Sequence, residues 1–133
     1  MPKTILIQDP DVLISLDLAQ TVMEAWPDAS VILCREARQI LALLSDGQEP
    51  DMLIMRQSMR GALAAGLDRL VGNPRINVLL TEADHDEEHS IAEAGWRALD
   101  MPFSALQVRE ALRDVCPEPD PRAESHCTSI GLG

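Results

Sequence analysis

Short apolar runs alternate with stretches of helical period along this chain, and that alternation limits its possible folds more than any single motif does. Thr4-Ile5-Leu6-Ile7, Ser30-Val31-Ile32-Leu33-Cys34, Met52 to Met55, Ile76 to Leu80 and Trp96 to Leu99 are each too short for a buried helix. They are mostly apolar, with Asn77 and Arg97 as the polar interruptions, as strands covered on both faces are. Between the first two runs, Val12, Leu16, Ala19, Met23 and Trp26 recur at three- and four-residue spacing, which reads as one buried helical stripe. Asp9 and Pro10 stand where a cap and a first helical residue belong. Glu36 to Leu44, Ala62 to Val71 and Asp84 to Ala94 follow as helical patterns. Ser104-Ala105-Leu106-Gln107 is a capping box that opens a last helix, to about Val115. Five strands alternating with five helices imply a doubly wound α/β fold: a five-stranded parallel sheet with helices on both faces.

The bulk properties suit a single domain with an aliphatic core. Hydrophobic residues make up 46% of the 133-residue chain, but aromatics only 2%. Residues 1–116 form the expected domain, and the proline-containing acidic segment 117–133 is expected to be disordered. With so short a segment after it, the domain is expected to stand alone, without an output domain. No apolar run approaches the roughly 20 residues that span a bilayer, and the start lacks a signal-peptide layout, so the expectation is a cytoplasmic protein with no membrane partner. A net charge of −11 argues against nucleic acid. Cys34, Cys116 and Cys127 form neither a metal motif nor a disulfide framework.

In a doubly wound sheet, chemistry gathers at the carboxyl ends of the strands. Here those ends carry Gln8, Asp9, Pro10 and Asp11; Arg56 and Gln57; Thr81 and Glu82; and Asp100, Met101 and Pro102. Ile5 to Asp11, Pro50-Asp51 before the third strand, Thr81-Glu82-Ala83, and Met101-Pro102-Phe103 together resemble the receiver domain of bacterial two-component response regulators, over roughly residues 3–115. The resemblance implies a flavodoxin-like fold of receiver type. It also implies a phosphoryl switch whose parts align with Asp9, Pro10, Asp11, Arg56, Thr81 and Met101.

Most of those parts are altered. The two adjacent acidic residues that hold Mg²⁺ in the family align with Asp9 and Pro10, and Asp11 falls one residue late. The phosphoacceptor aspartate aligns with Arg56, whose guanidinium is always protonated and has no lone pair for attack on phosphorus. The phosphate-pairing lysine aligns with Met101, and the switch aromatic with Ala98. Thr81 alone survives intact, with Asp9 the one secure carboxylate of the acidic pair. The expectation is therefore a vestigial phosphorylation site with no catalytic residue, no metal and no cofactor.

Two readings of Arg56 stand open: a pair with Asp9, Asp11 or both in place of the metal, or a side chain that reaches solvent. Two readings of Thr81 also stand open: a relic of the switch that bonds to Arg56 or to nearby backbone, or an ordinary β-favouring residue at a strand end. His85 and His89 have the spacing of a zinc motif, but Asp86 replaces its glutamate and no third ligand is evident, so a solvated acidic helix is the better reading.

The expected function is protein–protein interaction independent of phosphorylation. The partner would be a histidine kinase, a phosphotransfer protein, another receiver or a second copy. By resemblance, the partner face lies on the fourth helix, fifth strand and fifth helix, with Glu87, Ile91, Trp96, Arg97, Leu106, Arg109 and Glu110. Trp96 there is either an exposed anchor or a core residue. A decoy that competes for a kinase would need only the first helix. The alternative is a small-molecule-binding or enzymatic domain with its site over the strand ends.

Overall fold

The computed structural model describes residues 3–99 and 107–110. Its five strands are β1 (Thr4–Gln8), β2 (Ser30–Cys34), β3 (Met52–Met55), β4 (Asn77–Leu80) and β5 (Arg97–Ala98), all parallel, in the order β2-β1-β3-β4-β5. This is the flavodoxin-like order, with its crossover at β1 and β3. Among the described residues, the α-helices are α1 (Val12–Ala25), α2 (Ala37–Ser45), α3 (Met59–Ala64) and α4 (Glu88–Glu93). Residues 107–110 are also helical, on the segment expected to carry the last helix. Its start and the segment 117–133 lie outside the described residues. No helix among those described is long and apolar enough to cross a membrane.

Side chains that alternate along the strands build one core on each face of the sheet. Leu6, Leu53, Met55, Val78 and Leu80 pack with Ile40 of α2, with α3 and with Ile91 of α4. Ile5, Ile7, Met52, Ile54 and Leu79 pack with Leu18 and Val22 of α1 and with Val108. Every β3 side chain is buried, as a central parallel strand requires. Cys34 is buried at the end of β2, and that burial pushes its thiol up to about 11, so it behaves as a small hydrophobe.

α1 departs from the expected stripe. Asp11, not Asp9, is the N-cap; its Oδ1 accepts the Leu13 N–H at 2.9 Å. Its buried positions are Ser15, Leu18, Ala19, Thr21 and Val22, while Val12, Leu16 and Met23 point outward. Polar Ser15 and Thr21 can be buried because their hydroxyls donate to backbone carbonyls, Ser15 Oγ to Asp9 and Thr21 Oγ1 to Asp17. Those local bonds conceal the true buried face from a reading based on apolar spacing. Ala19 and Trp26 are buried as expected, and Lys3 lies over the Trp26 ring at 5.3 Å.

The helix expected over Ala62 to Val71 is also divided. α3 ends at Ala64, Gly66 adopts φ +95° in the left-handed region, and a 3-10 turn, Leu67–Leu70, follows. That break turns Leu67 and Leu70 into the core. The acidic segment Asp84 to Ala94 likewise begins as a 3-10 turn, His85–Glu87, before α4.

Candidate functional site

Backbone hydrogen bonds past the strands gather their carboxyl ends. The Asp9 N–H donates to Cys34 O at 3.1 Å, Arg56 N–H to Gln8 O at 2.9 Å, Thr81 N–H to Met55 O at 2.9 Å and Leu99 N–H to Leu80 O at 2.8 Å. Asp9, Arg56 and Thr81, far apart in sequence, thus occupy neighbouring strand ends.

Asp9 is 2% exposed. Its Oδ1 accepts the Asp11 N–H at 2.7 Å and faces Arg56 Nη1 at 3.4 Å. Arg56 Nε lies 3.2 Å from Glu82 Oε2, within ion-pair distance but out of line for a hydrogen bond. The guanidinium therefore bridges the ends of β1 and β4 from the end of β3. Asp11 is occupied by its cap, so of the two expected partners Arg56 meets Asp9 alone. Glu82, which the sequence reading placed at this end without a role, supplies the second carboxylate. Pro10 is exposed and offers no side-chain ligand. Thr81 Oγ1 donates to Met55 O at 3.3 Å, so its hydroxyl serves the backbone.

A second polar contact fills the other side of the sheet end. Gln8 Nε2 donates to Arg35 O at 2.9 Å, and Gln57 Nε2 donates to Gln8 Oε1 at 3.2 Å. Met101 lies outside the described residues.

The donor set does not suit a divalent cation. Mg²⁺ takes oxygen ligands at octahedral positions, whereas here a guanidinium stands between the two nearest carboxylates. Among the described residues no group of three or more His, Cys, Asp or Glu side chains converges for a metal. His89 Nε2 faces Glu93 Oε1 at 3.5 Å on an exposed surface.

The face expected to meet a partner needs correction. Trp96 is 4% exposed, and its Nε1 donates to Leu70 O at 3.3 Å, so it is a core anchor. Ile91 is buried in the same cluster. Glu87 is buried too, as a backbone clamp: its Oε1 accepts the N–H groups of Met59 (2.9 Å) and Asp84 (3.1 Å), and its Oε2 accepts that of Arg60 (2.9 Å). With Ser58 Oγ accepting from Gly61 N–H at 3.0 Å, these contacts satisfy the free donors at the start of α3. Asp84-x-x-Glu87 is a readable capping pattern, but its reach to α3 is a tertiary contact that no local pattern reveals.

Burial alone would raise the Glu87 carboxyl. The three N–H donors and the nearby Arg60 guanidinium outweigh it and hold the group below its ordinary value. Arg60 in turn pairs with Asp84 (3.2 Å) and Asp86, and hydrogen bonding and charge from Asp86 raise it above its ordinary value. Arg97, Arg109 and Glu110 are exposed as expected, but Arg109 Nη2 reaches Glu24 of α1 at 2.9 Å. Leu106 lies outside the described residues.

No protein-family model matches the sequence, and no curated protein matches it. Solved structures do match. A response regulator receiver protein from Burkholderia phymatum aligns with a TM-score of 0.66 at 16% identity, over 91% of this chain and 99% of that one. The chain has the receiver fold. The chemotaxis response regulator CheY4 of Vibrio cholerae matches with a TM-score of 0.63 at 18% identity, over 86% of this chain and 99% of its own. The signal receiver domain of an HD domain-containing protein from Pseudomonas fluorescens matches with a TM-score of 0.64 at 21% identity, over 86% of this chain and 94% of its own. Identities this low establish the receiver architecture, and function has to be argued from the site.

Proposed function

We propose that this chain is a receiver-like signalling domain that acts by binding another protein, has no catalytic activity of its own, and does not depend on phosphorylation for its output. The observation that carries this reading is Arg56, which by sequence resemblance aligns with the family's phosphoacceptor and which lies between Asp9 at 3.4 Å and Glu82 at 3.2 Å. A guanidinium cannot accept a phosphoryl group, and its fixed charge stands where the family uses a metal and a transient phosphate to tie these strand ends together. The alternative, a ligand or substrate over the strand ends, is disfavoured because Gln8, Arg56 and Gln57 fill that region and bond to neighbours.

The proposed docking surface is α1. Val12, Leu13, Leu16 and Met23 are 52%, 74%, 51% and 46% exposed, and Val12, Leu16 and Met23 fall on one helical stripe. Such a stripe suits a helix of a histidine kinase, a phosphotransfer protein or another receiver, or α1 of a second copy. The test is capture of partners from native cells, identified by mass spectrometry, with the wild-type chain and with Leu13→Glu/Leu16→Glu. The double variant is expected to lose at least about tenfold of its signalling partners, because each buried charge would cost more than 1 kcal/mol at an apolar contact. Equal recovery of the same partners by both chains would remove α1 from the proposal.

A further inference from the structure

A groove of about 430 Å³ runs between α3 and α4, on the opposite face of the sheet from α1. Met59 and Ala94 line its buried part, and Leu63 and Val71 are 37% and 44% exposed along it. Its exposed rim is charged, with Asp86 and Glu93 against one cation, Arg60, while Glu87 lies buried beneath it as the backbone clamp. Arg60 is held by Asp84 and Asp86, so its charge is already matched, whereas Glu93, among the described residues, faces His89 at 3.5 Å across exposed surface. The result is an apolar trough with an acidic edge.

We propose that this groove binds a short basic-amphipathic peptide segment of another protein. A leucine- or methionine-sized side chain would lie over Met59, Leu63 and Val71, and a lysine or arginine would reach Glu93. Charge complementarity selects this occupant. A second copy of a chain with net charge −11 brings the wrong sign. So does the chain's own segment 117–133, where Glu118, Asp120 and Glu124 outnumber Arg122. Nucleic acid is repelled for the same reason. The exposed leucine and valine call for apolar contact, which a purely charged partner would leave unmet. This surface lies on the opposite face of the sheet from α1, so it adds a second contact to a domain that, in the proposed function, binds one partner through α1.

The experiment is a titration of the full ¹⁵N-labelled chain with three synthetic peptides: Lys-Leu-Lys-Leu-Lys, Lys-Ser-Lys-Ser-Lys and Glu-Leu-Glu-Leu-Glu. Only the first is expected to move the amide signals of Leu63, Val71, Ser90 and Glu93 saturably, with affinity that falls as salt rises. Glu93→Lys and Val71→Ser, both at exposed positions, are each expected to weaken it by at least about fivefold, a loss of about 1 kcal/mol. The proposal is overturned by the absence of saturable shifts at these amides. Equal shifts with either control peptide, shifts on α1 instead, or an affinity unchanged in both variants would overturn it as well.

Discussion

Glu87→Ala is expected to lower the unfolding free energy by about 3 kcal/mol, because it removes the acceptor for three backbone N–H groups, one buried and two half-buried, each costly to leave unpaired. The loss falls at the start of α3, a six-residue helix too short to persist on propensity alone. Urea unfolding at neutral pH measures it. Glu87→Gln is expected to fall between wild type and alanine. Its single carbonyl oxygen can still serve Met59 and Asp84, but its amide donors would face the Arg60 N–H.

The pH dependence separates the charge of Glu87 from its shape. Its carboxyl titrates lower in the folded state than the ordinary glutamate value of about 4.3. The unfolded state therefore takes up the proton first as pH falls. The contribution of Glu87 to stability is full above that ordinary value and is lost as pH drops through the lower folded one. The gap between wild type and Glu87→Gln should accordingly be constant near neutrality and close in acid. A gap that widened in acid would contradict the clamp.

Arg56→Ala is expected to cost about 2 kcal/mol, the scale of a charge-assisted hydrogen bond whose buried partner is left behind. Among the described residues, Asp9 would keep only the Asp11 N–H, at 2% exposure. The cost stays below that of a fully buried pair because the Arg56 side chain is 22% exposed and its contact with Asp9, at 3.4 Å, is long. A double-mutant cycle of Arg56→Ala with Asp9→Ala is expected to return a coupling of about 1 kcal/mol or more. Arg56→Lys should recover only part of the loss, since a point-like ammonium cannot span both Asp9 and Glu82. Additive single effects would mean that the two side chains lie side by side without acting on each other.

Much of the architecture was legible because it rests on period alone. The runs around Ile5, Met52 and Val78 are strands that the sheet buries, and their alternation with helical stretches suffices for the parallel doubly wound order. The pairing of Arg56 with Asp9 was open to inference once the strand ends were aligned. Its second contact was not, because Glu82 at the end of β4 is an exposed acidic residue like many others in this chain. The outward turn of Val12, Leu16 and Met23 was hidden because Ser15 and Thr21 satisfy their hydroxyls on nearby backbone carbonyls, Asp9 O before the helix and Asp17 O within it, and so pass into the core. Glu87 was assigned to a surface by likeness to a family face, and Trp96 was left open between that face and the core. Trp96 turns inward to Leu70 O, and Glu87 to the start of α3.

The site itself can be tested most directly by incubating the wild-type chain with acetyl phosphate and Mg²⁺ and measuring its intact mass. With the Arg56 guanidinium at the end of β3, bridged to Asp9 and Glu82, the proposed function predicts that the mass remains that of the unmodified chain. A stable gain of one phosphoryl group, mapped to Asp9, Asp11 or Asp51, would contradict a receiver fold held by Arg56 in place of phosphate.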